Sequence, residues 1–219
     1  MSKVANFRWR LAQFLEFHWW RGYLRKRSPS AYLAGKQAYW GALLQEAGVY
    51  PAPGQTALDA GCGPSGIYMA LSGLTVDAVD PLLGRYAQGL GIFQPEKYPW
   101  TDFYAVAFEE WVPSRTYDWV FCMNALNHFR DMDAAITKLQ RALAPGGYLL
   151  LSVDAHTSPH LKRVFQIFPG DLLHPHQYGV SEYRQMLESA GLEILQARVL
   201  KKGQIFDYVV FLAAIPSRG

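Results

Sequence analysis

The chain of 219 residues has only two cysteines, Cys62 and Cys122. Two thiols cannot build a disulfide framework in a chain of this size, so reduced thiols in a cytoplasm are expected. No apolar run reaches the roughly 18 residues that a membrane-spanning helix needs, and none is expected. The opening MSKVANFRWRLAQFLEFHWWRGYLRKR is broken by charges and offers no apolar core or small-residue cleavage site of a secretory leader. Repeats and low-complexity tracts are missing, and no nucleic-acid-binding module is recognisable. Acids are scarce at the start. Residues 1–36 hold eight Lys/Arg and a single acid, Glu16, whereas the remainder holds 13 Lys/Arg and 17 acids.

What is present is an ordinary globular composition, 50% hydrophobic and 18% charged, enough for one sizeable core. The basic start is rich in rings: Phe7, Trp9, Phe14, Phe17, Trp19, Trp20 and Tyr23. It reads as two helices, 4–26 and 30–47, broken at Ser28-Pro29-Ser30. Residues 1–50 are therefore expected to form a helical cap and 51–219 the main domain. A basic face of this kind is usually solvated, although it could also dock an anionic substrate, nucleic acid or lipid. From residue 56 the chain alternates strand and helix. Strands are expected at TALDAG, 74–80, 103–108, 117–124, 146–154, 192–200 and 205–215. Helices are expected after Gly66 and over 82–90, 131–143 and 179–190. This is an α/β pattern, a mainly parallel Rossmann-like sheet covered on both faces, with a final antiparallel strand pair.

Residues 57–66, ALDAGCGPSG, contain Gly61, Gly63 and Gly66 at the G-x-G-x-x-G spacing used for dinucleotide pyrophosphate. In such sheets the loop after strand one borders the ligand. Asp59, two residues earlier, opposes that reading, since like charges ~4 Å apart repel by about 4 kcal/mol at an effective dielectric of about 20. An adenosine ligand carrying ammonium and sulfonium groups would instead be attracted. The alternative for Asp59 is a turn or capping carboxylate. Asp80, closing strand two, is placed to accept from ribose hydroxyls, or to cap the helix that follows Pro81.

ALDAGCGPSG, the VDAVD of strand two, TYDWVFCMNALNHF and RALAPGGYLLLSVD, in this order, resemble the class I S-adenosylmethionine-dependent methyltransferases over residues 55–215. The resemblance implies a seven-stranded sheet of order 3-2-1-4-5-7-6 with strand 7 antiparallel. It implies Asp59, Gly61, Cys62 and Gly63 at the methionine moiety, Asp80 and Pro81 at the ribose, Phe108 beside Ala107 at the adenine, and Met123 or Asn124 at the methionine end. In this family the N-terminal helices often cover the cofactor, which would place Trp9, Trp19, Trp20 and Trp40 near the site. Ser65 stands where a third glycine is usual, and Ala107 replaces an acid that often receives the adenine amino group, with Glu109 two positions on.

The expected function is methyl transfer from S-adenosyl-L-methionine to O or N of a small-molecule acceptor. Transfer to RNA or protein through the basic helices, or a non-catalytic cofactor-binding role, are the alternatives, and an NAD-dependent oxidoreductase is disfavoured by Asp59. A base is needed only if the nucleophile must lose a proton. His128 and His176 are the candidates, with His156, His160 and His174 also near the ligand edge. The last four could suggest a metal, but no cysteine joins them and no metal site is expected. Nucleic acid is an unlikely partner on this reading.

Overall fold

The computed structural model of the protein describes residues 3–157 and 178–216. Seven strands form one sheet in the order β3-β2-β1-β4-β5-β7-β6. They are β1 (Thr56–Ala60), β2 (Thr75–Val79), β3 (Thr101–Tyr104), β4 (Tyr117–Met123), β5 (Leu143–His156), β6 (Glu193–Lys201) and β7 (Phe206–Ala214). β1 to β5 pair in parallel, and β7 runs antiparallel between β5 and β6. This is the sheet that the strand–helix alternation and the family resemblance predict.

Alternation in the strands divides the interior into two cores. Trp119, Phe121 and Met123 of β4 enter one core with Leu150 of β5, while Val120 and Cys122 enter the other with Leu149, Leu151 and Val153. The first core is roofed by α2 (Pro29–Ala47) and α3 (Leu83–Gly89), and the second by α4 (Met132–Ala142) and α5 (Val180–Ser189). Pro29 opens α2, where its missing N–H costs nothing, and Gly48 ends it at φ +69°. Asp131 caps α4 by accepting from the Ala134 N–H at 3.0 Å. The long α1 (Lys3–Leu24) lies over the ligand edge, its Phe17 ring packed where Gly89 of α3 has no Cβ.

Two elements differ from expectation. The segment after Gly66 forms two single 3-10 turns, Gly63–Ser65 and Ile67–Ala70, rather than an α-helix. Eight residues, 67–74, separate Gly66 from β2, too few for an α-helix of several turns and a return to the start of the next strand. β3 ends at Tyr104 rather than running to 108. The apolar alternation of FYAVAF misleads, because Ala107 and Phe108 are buried by a turn in which the Ala107 carbonyl accepts from the N–H groups of Glu110 and Trp111.

A buried carboxylate ties three strands together. Asp77 of β2, 1% exposed, accepts from Tyr117 Oη of β4 at 2.5 Å and Tyr104 Oη of β3 at 3.5 Å, with Arg115 Nε at 3.4 Å. Removing the closest donor leaves a buried charge short of a partner, which costs about 1–3 kcal/mol. Tyr117→Phe should accordingly lower Tm by several degrees, at about 2–4 °C per kcal/mol for a chain of this size. An unchanged Tm in a thermal melt would show that Arg115 and Tyr104 suffice.

Candidate active site

The loop between β1 and the 3-10 turns is shaped from below by Asp59. Its carboxylate is 1% exposed and accepts from the Tyr68 N–H at 3.1 Å and from the Ile67 N–H. An added Cβ on Gly66 would collide with Asp59 Oδ2 and lie 2.5 Å from the Cys62 carbonyl oxygen, so only glycine fits there. Gly61, at φ +74°, donates to the Val79 carbonyl at 2.8 Å, and a Cβ on it would strike Ala125. Gly63, at φ +59°, opens on a cavity, and a Cβ added there would meet nothing within 4 Å.

That cavity has a volume of about 500 Å³. Gly61, Cys62, Gly63, Asp80, Pro81, Phe108, Met123, Asn124 and His128 all border it, so the structure brings these predicted residues together. Asp59 lies behind the loop rather than on the cavity wall. Asp80 accepts through Oδ2 from the Gly63 N–H at 3.0 Å and through Oδ1 from the Leu82 N–H at 2.8 Å. Asn124, beyond β4, is the one non-glycine residue with positive φ among the described residues, at +53°. Its N–H donates to Ser152 Oγ at 2.9 Å. Asn is one of the few non-glycine residues that tolerate this left-handed backbone, and here it borders the cavity. His156 is buried against the Phe206 ring and does not border the cavity, and His176, with His160 and His174, lies outside the described residues.

Two features go beyond the expectations. The first is that Gln13 and Glu16 join the expected Trp9 and Trp20 in one stripe along α1, spaced by three or four residues, which faces the cavity. Trp9 lies under the Arg130 guanidinium, 3.9 Å from its ring centroid. Gln13 is buried and its Oε1 has no hydrogen-bond partner among the described residues. Glu16 Oε1 accepts from Tyr86 Oη at 3.1 Å. The second is Lys138 of α4, whose Nζ donates to the carbonyls of Phe108 (2.6 Å), Glu109 (3.1 Å) and Trp111 and so fixes the 107–111 turn. The 3.6-residue periodicity of the basic helix could have exposed the stripe. Nothing local marks Lys138.

The carboxyls titrate far above their usual range. Burial raises Glu16 to about 8, with the Asp80 charge adding to the effect. Burial raises Asp59 to about 7 against the opposing hydrogen bond from Tyr68, and Asp80 to about 6 against those from Leu82 and Gly63. A cation in the cavity would return them toward their ordinary values.

The sequence matches the family model described as a methyltransferase domain over residues 32–197. The chain belongs to the methyltransferase-domain family. It has the class I fold and is an S-adenosylmethionine-dependent methyltransferase. No curated protein matches it. Among solved structures, it is similar to magnesium protoporphyrin IX methyltransferase from Synechocystis PCC 6803 with bound SAH, at 21% identity over 83% of this chain and 82% of that one, with a TM-score of 0.57. It is also similar to phosphoethanolamine N-methyltransferase 2 of Haemonchus contortus, at 19% identity over 82% of this chain and 53% of that one, with a TM-score of 0.61. The cyclase SpnF shares 15% identity over 82% of this chain and 80% of that one, with a TM-score of 0.65. At these identities the likeness is one of fold, and fold does not choose the acceptor.

The residues present fit the donor. Glycine backbone opens on the cavity at Gly63, a carboxylate stands at Asp80, and the buried Gln13 oxygen awaits a hydrogen-bond donor. The raised carboxyls have a measurable consequence. Glu16 holds its proton in the folded chain up to about pH 8, whereas its ordinary value is 4.5. Between these values the folded state binds more protons than the unfolded state. The stabilising contribution is fully present below 4.5 and is lost as pH rises through about 8. Glu16→Gln should raise Tm near pH 8 and change it little near about pH 4.5, flattening the alkaline fall in stability. Equal shifts at both pH values would mean that Glu16 is not protonated by its burial.

Proposed function

We propose that the protein methylates O or N of a small, largely apolar acceptor bound in the same cavity as the cofactor. The observation that carries this reading is the roof of the cavity. Trp9, Trp19, Trp20, Tyr39 and Trp40 from α1 and α2, with Tyr208 from β7, line a space of about 500 Å³, within the range of small-molecule sites. Such rings supply apolar contact and exclude water from the transfer. A volume of this size takes a cofactor and a compact acceptor rather than a strand of RNA.

Bound S-adenosylmethionine supplies an activated methyl carbon, so the chain's task is mostly to position and desolvate. Asp80 accepts from the ribose hydroxyls while its hydrogen bonds to Gly63 and Leu82 hold its orientation. Phe108, stacked at 5.2 Å on Phe129, forms an apolar wall beside Gly61 for the adenine. Gly61, Cys62 and Gly63 let backbone approach the amino-acid end, with Asn124 and Met123 closing the side toward the acceptor. His128, half-buried at the cavity edge, is the described histidine placed to take a proton from a hydroxyl acceptor. His176 stays a second candidate from the sequence.

Tritiated S-adenosylmethionine incubated with the protein and a fractionated cell extract should label the small-molecule fraction. Label in RNA or protein instead would favour docking through the basic helices. Asp80→Ala should weaken S-adenosylhomocysteine binding by about tenfold or more in calorimetry, as loss of charge-assisted hydrogen bonds implies. His128→Gln should lower kcat on a hydroxyl acceptor by about a hundredfold and remove the acidic limb of its pH profile, leaving cofactor affinity intact. An unaltered profile would exclude His128 as the base.

A further inference from the structure

We propose that Lys36 of α2 binds the carboxylate of the cofactor's amino-acid portion, making α2 the clamp on the methionine end of the site. The inference rests on the S-adenosylmethionine reading above. It begins with an unbalanced charge. Glu16, Asp80, Glu109 and Asp154 are the acids on the cavity wall, and Lys36 is the one Lys or Arg there among the described residues. Its Nζ lies 4.8 Å from the Trp40 ring centroid and 4.9 Å from that of Tyr39. These ring faces attract an ammonium without supplying a counter-ion. Lys36 forms no ion pair with a described carboxylate, and burial pushes its pKa down with no acid to offset it. A desolvated ammonium lined up on a ligand cavity is completed by an anion.

Position says which anion. Tyr32, Lys36 and Trp40 recur every four residues and so share one face of α2. The two outer members are fastened to the glycine loop. Tyr32 Oη shares a hydrogen bond of 3.1 Å with Ser65 Oγ, and Trp40 Nε1 donates to the Ser65 carbonyl at 2.9 Å. The ammonium between them shares one cavity with the Gly61–Ser65 loop, where the cofactor reading puts the amino-acid end of the ligand. The α-ammonium and sulfonium of that ligand suit the acids of the cavity, whereas its carboxylate would be repelled by them and is matched by Lys36. An acceptor with its own anionic group is the competing occupant.

Two probes separate these cases in calorimetry on the full chain. S-Adenosylhomocysteine carries the carboxylate, while 5′-methylthioadenosine keeps the adenosine and sulfur and lacks the amino acid. Lys36→Met should weaken S-adenosylhomocysteine by about tenfold or more, the usual effect of losing a charge-assisted contact, and leave 5′-methylthioadenosine unchanged. Lys36→Arg should restore most of the loss. Unchanged S-adenosylhomocysteine affinity in Lys36→Met overturns the proposal. Equal weakening of both probes also overturns it, because it marks Lys36 as a support for α2. If the wild-type chain binds neither probe, the cofactor reading itself fails, a result distinct from either of these.

Discussion

Everything at the ligand edge depends on one buried carboxylate under one loop. Asp59 collects the N–H groups of Ile67 and Tyr68 and occupies the volume that a Cβ on Gly66 would need. This pins the two tight turns, Gly63–Ser65 and Ile67–Ala70, that the short path to β2 imposes. The turns in turn present the Ser65 carbonyl and hydroxyl to Trp40 and Tyr32, so α2 docks on a surface that Asp59 has made. Losing the carboxylate would leave two donors unmet and a void behind the loop, and the effect would reach α2 through Ser65.

The same carboxylate is part of an electrostatic strain. Asp59, Asp80 and Glu16 are all raised, and burial is the first cause for each. A chain selected only for stability would place amides or apolar groups here, because buried charge without a counter-charge is costly. Asp80 and Glu16 border the cavity, and keeping acids there makes sense when the missing partner is a cation that arrives with the ligand. Binding energy and stability then come from the same groups, and the unliganded protein is the less stable for it.

How far the sequence could be read follows from how local each signal is. Strand alternation is local, and it located β1, β2, β4, β5, β6 and β7 to within a few residues. It failed at β3, where apolar residues 105–108 are buried by a turn held by Lys138 from another part of the chain, a long-range cause with no local trace. A helix after Gly66 was a reasonable expectation from glycine-loop spacing, but chain length to β2 does not allow it. In the site, the glycine loop and Asp80 were legible because motif spacing carries them. On α1, Trp9 and Trp20 were expected near the site from the resemblance, but Gln13 and Glu16 were not, because a stripe that mixes apolar and polar types is not marked by hydropathy as one inward face. Asp59 shows a further limit. Sequence fixes its charge and its place before the glycines, but whether it touches ligand or backbone depends on the loop that folds around it.

The sheet and the helices divide the work. The strand ends supply the glycine loop, Asp80 and Asn124, all placed by backbone pairing that tolerates little change. The roof comes from α1 and α2, which are fastened at a few points: Trp9 under Arg130, Phe17 against Gly89, Glu16 on Tyr86, and Tyr32 and Trp40 on Ser65. Ring size along that roof can vary without disturbing a strand, so the space beside the donor can change shape while the contacts from the strand ends stay fixed. Lys36 brings an ammonium to that roof, and Glu16 on the neighbouring helix a carboxyl that a bound cation would return to its charged form. A zwitterionic amino-acid end can satisfy both kinds of charge in the cavity at once, whereas a simple cation or anion can satisfy only one. The charge pattern of the roof is therefore itself a filter for the donor, added to the one that the glycine loop provides.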